Sequence, residues 1–240
     1  MRRLLTLIFI VGAFCGSSGQ EPVLGRYVGV ELVPVLQALE RANASGSLIF
    51  SGRCPEGYTP DLPPFRSTSS GGLSTLDTLR KLLPDHSPLQ VTRDEKGLIR
   101  ILDPSAPDDI LSVRISHIAF DGSGTPWTGA DYRPGDAVHR IVRSPEVMAF
   151  AKAHQLQSPL LSNAGRSVTG NMKGHWPPDQ ARISGSLDNV TVAQALDHVL
   201  RTFPGLWVYE NCPAPTDRAL HFWVGYFHLD HWGAQAVATQ

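Results

Sequence analysis

Residues 184–210, SGSLDNVTVAQALDHVLRTFPGLWVYE, read as a polar turn, an amphipathic helix, a Pro-Gly stop and a short β-rich run. Val192, Ala195, Leu196, Val199, Leu200 and Phe203 fall three and four apart on one helical face, the spacing of a stripe that must be buried. Thr191 and Gln194 match the capping box that satisfies orphan donors at a helix start. A looser copy of the plan stands at residues 70–101, SGGLSTLDTLRKLLPDHSPLQVTRDEKGLIRI. Writing one plan twice points to duplication of a small α+β unit, because each apolar stripe needs a sheet to cover it.

In the first half, Tyr27, Val28, Val30 and Leu32 of GRYVGVEL alternate as a strand would, and Pro34 suits the first turn of a helix carrying Val35, Leu36, Leu39 and Ala42. SLIF (47–50) reads as a buried strand and the Pro/Gly-rich stretch 51–64 as loop. Ser74 and Asp77 resemble a cap for a helix to about Leu83, with Leu76, Leu79, Leu82 and Leu83 on one face and Pro84 as its stop. LQVTR and LIRIL flank DEKG, a hairpin signature, and the polar, proline-broken DPSAPDD (103–109) reads as a linker. In the second half ILSVRISHIAF reads as one strand whose alternation slips once, as at a bulge. Ser144 and Pro145 open a helix through Val147, Phe150 and Ala151 towards Leu156, and LWVYE with ALHFWVGYF forms a closing hairpin. The expectation is an α+β protein of two tandem βαβ-βαβ modules, residues 22–103 and 110–227. Each packs two helices on a mixed sheet, the second carries long loop insertions, and 228–240 form a tail.

Residues 1–20 combine a basic start (Arg2, Arg3), an apolar run from Leu4 to Phe14 and the small residues of Gly16–Gly19, the pattern of a signal peptide. The apolar run is short for a membrane span, so a periplasmic or secreted protein without a span is expected. Cys15 follows Phe14 rather than the small residue that a lipoprotein site requires, which argues against lipid anchoring. Removing the leader leaves 19 basic and 22 acidic side chains, a balance that does not suggest nucleic acid. Cys54 and Cys212 would then be two thiols in an oxidising compartment, where pairing is permitted. Spacing alone does not distinguish a disulfide from two separate thiols.

No nucleophile elbow, phosphate loop or H-E-x-x-H helix occurs in the chain, so no catalytic residue and no cofactor is assigned. HFWVGYFHLDHW places His221, His228, Asp230 and His231 close together in sequence. Those histidines, with His198, define an alternative reading as a zinc-dependent hydrolase. The aromatic closing hairpin offers Trp223 and Tyr226, and the long loops offer Trp127 and Trp176, as candidate partner contacts.

Residues 25–102, through VPVLQALERANASGSLIF, LPPFRSTSSGGLSTLDTLRKLL and LQVTRDEKGLIRIL, resemble the short N-terminal domain of secretins and TonB-dependent receptors. The second half resembles the same unit through ISGSLDNVTVAQALDHVLRTFPGLWVYE. ILSVRISHIAF, SPEVMAF and LDNVTVAQALDHVL are also similar to uncharacterised secreted bacterial proteins. The first resemblance implies a periplasmic module that contacts protein partners of the cell envelope and carries no chemistry of its own.

Overall fold

The computed structural model describes residues 24–52, 63–66, 72–107, 109–120, 134–158, 183–213 and 220–229. Thirteen elements follow in order: α1 (Leu24–Arg41), β1 (Gly46–Ser51), α2 (Thr75–Leu82), β2 (Gln90–Arg93), β3 (Ile99–Leu102), α3 (Asp109–Ser112), β4 (Arg114–Ala119), α4 (Pro134–Val142), α5 (Pro145–Ala153), β5 (Ser186–Thr191), α6 (Val192–Thr202), β6 (Gly205–Pro213) and β7 (Leu220–His228). The protein is α+β, with a mixed five-stranded sheet in the order β2-β3-β1-β6-β7 and a small two-stranded sheet of β4 and β5.

β1 is the axis of the large sheet. It runs parallel to β3 on one side and parallel to β6 on the other, whereas β2–β3 and β6–β7 are antiparallel hairpins. Strands from both halves therefore form one sheet, and the expected separate sheet for each module is not formed. The physical reason is that β6–β7 alone would be a two-stranded hairpin, too small to cover a helix stripe by itself. Pairing β6 with the second edge of β1 supplies the missing width.

The halves divide the faces of that sheet. Leu48, Phe50, Val91, Ile99, Ile101, Leu206, Val208 and Trp223 pack with Leu32, Val35, Leu36 and Leu39 of α1 and Leu79 and Leu82 of α2. The opposite face, with Trp207, Tyr209, Phe222, Val224 and Tyr226, packs with α4 and α6, and the same core continues to Ile115 and Ile118 of β4. Helices of the two halves thus form a layer on each face of one sheet.

Local expectations fare unevenly. The helix at Ser74 forms with the Ser74 hydroxyl accepting from Asp77 N–H, and the DEKG hairpin forms with Gly97 at φ +84°, a conformation glycine adopts without steric cost. Residues 27–32, expected as a strand, lie within α1, and Pro34 sits inside that helix rather than in its first turn. Leu32, Val35, Leu36 and Leu39 continue a helical spacing, so the apparent alternation belonged to a longer 3.6-residue pattern. Residues 110–112, expected as the start of a strand, lie in the short helix α3 (Asp109–Ser112).

The phase slip in the strand that follows is not an inserted residue. Arg114 and Ile115 face Thr191 and Val190, and His117 and Ile118 face Asp188 and Leu187, leaving Ser116 and Asn189 between. Asn189, at φ +52°, takes the left-handed conformation that asparagine tolerates best after glycine.

Candidate functional site

The densest polar cluster joins the two halves across the sheet. Arg100 comes from β3 and Asp197 from the otherwise apolar stripe of α6, whose start is held by the capping box in both directions: Gln194 N–H to the Thr191 hydroxyl and Thr191 N–H to the Gln194 side chain. Arg100 Nη1 donates to Asp197 Oδ1 at 2.8 Å and Nη2 to Asp197 Oδ2 at 2.7 Å, a bidentate pair. Nε and Nη2 donate to Asp94 Oδ2 at 3.1 and 2.6 Å, and Nη1 also donates to the Ser47 hydroxyl at 3.2 Å. Trp207 Nε1 completes the cluster by donating to Asp197 Oδ1 at 3.0 Å.

A guanidinium has five N–H donors, and these contacts use all of them. Arg100 therefore retains no donor for an incoming anion and acts as a clamp. Burial disfavours its charge, but the carboxylates of Asp197 and Asp94 outweigh that and raise its pKa above the ordinary value. Burial likewise pushes the Asp94 carboxyl up, and is outweighed by Arg100 and by the N–H groups of Leu98 and Lys96, which hold it below its ordinary value.

A second cluster fastens α5 to β4. Glu146 Oε1 accepts from Ser116 N–H at 2.9 Å and from the Ser116 hydroxyl, and these two bonds hold its carboxyl below the usual range. Ser144 takes the N-cap position and Pro145 the first turn, as expected, although the Ser144 hydroxyl makes no capping bond. On the small sheet His117 Nδ1 lies 2.6 Å from Asp188 Oδ1, an exposed pair. His139 and His198 both have lowered pKa values, chiefly because burial disfavours the imidazolium and secondarily through Arg143 and Arg201 respectively. His198 also stacks on Phe120.

Trp223 and Tyr226, expected as partner contacts, are 2% and 7% exposed; they belong to the cores on opposite faces of the sheet and are corrected to packing residues. The cause is that β7 is covered on both faces, so alternation sends Phe222 and Tyr226 into one interior and Trp223 into the other. Gly225 leaves the room that Trp223 needs, since a Cβ there would meet the indole Cη2 at 2.0 Å. Tyr226 donates its hydroxyl to the Phe203 carbonyl at 3.0 Å. Trp127 and Trp176 lie outside the described residues.

His221 and His228 occupy opposite ends of β7, facing Cys212 and Gly205 of β6. Seven residues of strand separate them by roughly 23 Å, so these two cannot ligate one ion. His231 lies outside the described residues. Among the described residues no group of three His, Cys, Asp or Glu side chains is placed to hold a metal. Cys54 lies outside the described residues, and for Cys212 the structure describes the backbone within β6.

The Arg100 clamp was missed in the sequence. Its signal was Asp197 itself, a carboxylate inside an apolar helix face between Leu196 and Val199, which requires a cation when buried. No protein-family model, curated protein or solved structure matches this chain.

The margin of the sheet is the remaining feature with binding geometry. β2 is a blunt edge: it has four residues, and Arg80 Nη2 donates to the Val91 carbonyl at 3.2 Å. β7, at the other margin, has nine. Phe222 N–H donates to the Gln157 carbonyl at 3.0 Å rather than to β6. By the alternation of an antiparallel ladder, Val224 also turns its N–H and C=O away from β6. Among the described residues no helix is long and apolar enough to cross a membrane.

Proposed function

We propose that this chain is an exported, non-enzymatic binding or scaffolding module of the bacterial cell envelope, related to the short N-terminal domains of secretins and TonB-dependent receptors. It recruits a protein partner that adds an extended segment along β7. The observation that carries this reading is the nine-residue margin strand, whose outward main-chain groups already accept one non-sheet residue at Phe222. Strand addition of this kind draws affinity from main-chain hydrogen bonds. The polar clusters support the same reading, because Arg100, Asp94 and Asp197 are consumed in joining the two halves.

The test is partner capture by crosslinking in the native envelope, comparing the wild-type chain with Val224→Pro. Proline removes an outward donor and no donor to β6, a position at which an edge strand tolerates it. Loss of the captured partner with circular dichroism unchanged supports strand addition. Equal capture by a folded variant, or unchanged hydrogen exchange at the Val224 amide when the captured partner is added to wild-type protein, overturns it.

A further inference from the structure

We propose that this chain exchanges its second half with a second copy, so that β6 of one copy pairs with β1 of the other in a two-fold dimer. All of β1, Gly46–Ser51, pairs in register with residues 206–211 of β6. The Ser45 hydroxyl accepts from Gly205 N–H at 3.1 Å, and Arg100 holds Asp197 in two bonds. The cores cross the same boundary, because Leu206, Val208 and Trp223 complete the one under α1 and α2, while Ile49 and Leu98 pack against the other. The first half thus carries a strand edge and an apolar face fitted to β6–β7. None of these contacts depends on which copy of the chain supplies that hairpin.

The connection between the halves permits the exchange. The chain passes from one half to the other once, between β3 and α3, through residues 103–108. Ala106 N–H donates to the Asp103 carbonyl at 3.0 Å, and the Asp103 carboxylate accepts from Ser105 N–H at 2.8 Å and from its hydroxyl at 2.7 Å. This turn sends the second half back onto its own first half. Pro104, Ser105 and Pro107 are exposed, and neither core includes any of residues 104–107. Straightening the turn therefore costs its own bonds and disturbs no core packing. Proline fixes φ and holds the residue before it extended, so Pro104 and Pro107 stiffen the straightened segment, which spans up to roughly 20 Å.

The closed chain and the exchanged dimer bury the same interface, and exchange of this kind is a low-cost route to dimers. The turn favours the closed chain, whose short connection acts as an effective concentration on the order of millimolar. Refolding at that concentration brings the second copy into competition, and shortening the hinge shifts the balance towards exchange.

The experiment refolds full chains from urea over a concentration series reaching about 1 mM and sizes them by chromatography with light scattering. Wild type should give a dimer fraction that rises with refolding concentration. A chain lacking residues 104–107 should reach the same fraction at a concentration lower by about tenfold or more. Charge exchange identifies the contact. Arg100→Asp leaves Asp94 and Asp197 facing another carboxylate, and Asp197→Arg sets a second guanidinium against Arg100. In an exchanged pair of these two variants, one interface is wild type and the other carries the charges reversed. Their equimolar co-refolded mixture should give a 1:1 heterodimer that melts above either variant alone. The proposal is overturned if wild type and the hinge-deleted chain both stay monomeric. It is equally overturned if the mixture elutes and melts as the sum of its components, or if each charge variant dimerises by itself as well as the mixture does. Where neither the charge variants nor their mixture fold, the hinge-deleted chain decides, a dimer supporting exchange and a monomer overturning it.

Discussion

Asp197 is the side chain on which the contact between the halves depends most. It accepts both Nη groups of Arg100 and the indole N–H of Trp207, and it is among the buried residues of α6. Asp197→Ala leaves a largely buried guanidinium short of one carboxylate, so the expected cost is about 3 kcal/mol in urea unfolding. Trp207 should report the same loss through a shift in its fluorescence. The residue scale also carries a pH dependence. The His139 pKa lies below 6.5 because burial and Arg143 oppose its protonation, so the unfolded chain binds the proton more readily. Stability then falls as pH drops below about 6.5, and His139→Gln should flatten that limb of a stability–pH profile. For Asp94 the sign is opposite in origin. Its folded pKa lies below 3.8, so its contribution is complete above 3.8 and is lost as pH falls through the lowered value, a loss that Asp94→Asn should remove.

At the scale of elements, α6 is the most completely specified piece of the chain. Its stripe is buried residue for residue, and the capping box closes in both directions. Thr191→Ala should therefore cost about 1 kcal/mol by thermal or urea unfolding. The closing hairpin was equally visible, but its aromatics were not assignable to surface or core without knowing what lies on each face. Gly225 is the clearest consequence of the answer. A side chain there collides with Trp223, and Gly225→Val should destabilise by about 1–3 kcal/mol, the usual range for overpacking. α4 was overlooked because Ala137, Val138, Ile141 and Val142 form a stripe barely two turns long beside a Gly/Pro-rich stretch. The residues of α1 were divided between strand and helix because Val28, Val30, Leu32, Val33, Val35 and Leu36, at mixed spacing, fit both periods.

At the scale of the whole molecule, the first half does not contain its own interior. Leu206, Val208, Trp223 and Leu229 of the second half complete the core under α1 and α2. Residues 22–107 alone are therefore expected to lack cooperative unfolding by circular dichroism, and co-expression with 109–240 to restore it. The sequence by itself determined the α+β class, the capped helices and both hairpins, because caps, turns and apolar stripes are local physics read over a few residues. Only the tertiary structure decided that strands of both halves share one sheet, that Arg100 meets Asp197, and that the hairpin aromatics are interior. Strand pairing between distant segments is set by which edges and faces remain to be covered after local elements form, and that is a property of the assembled chain.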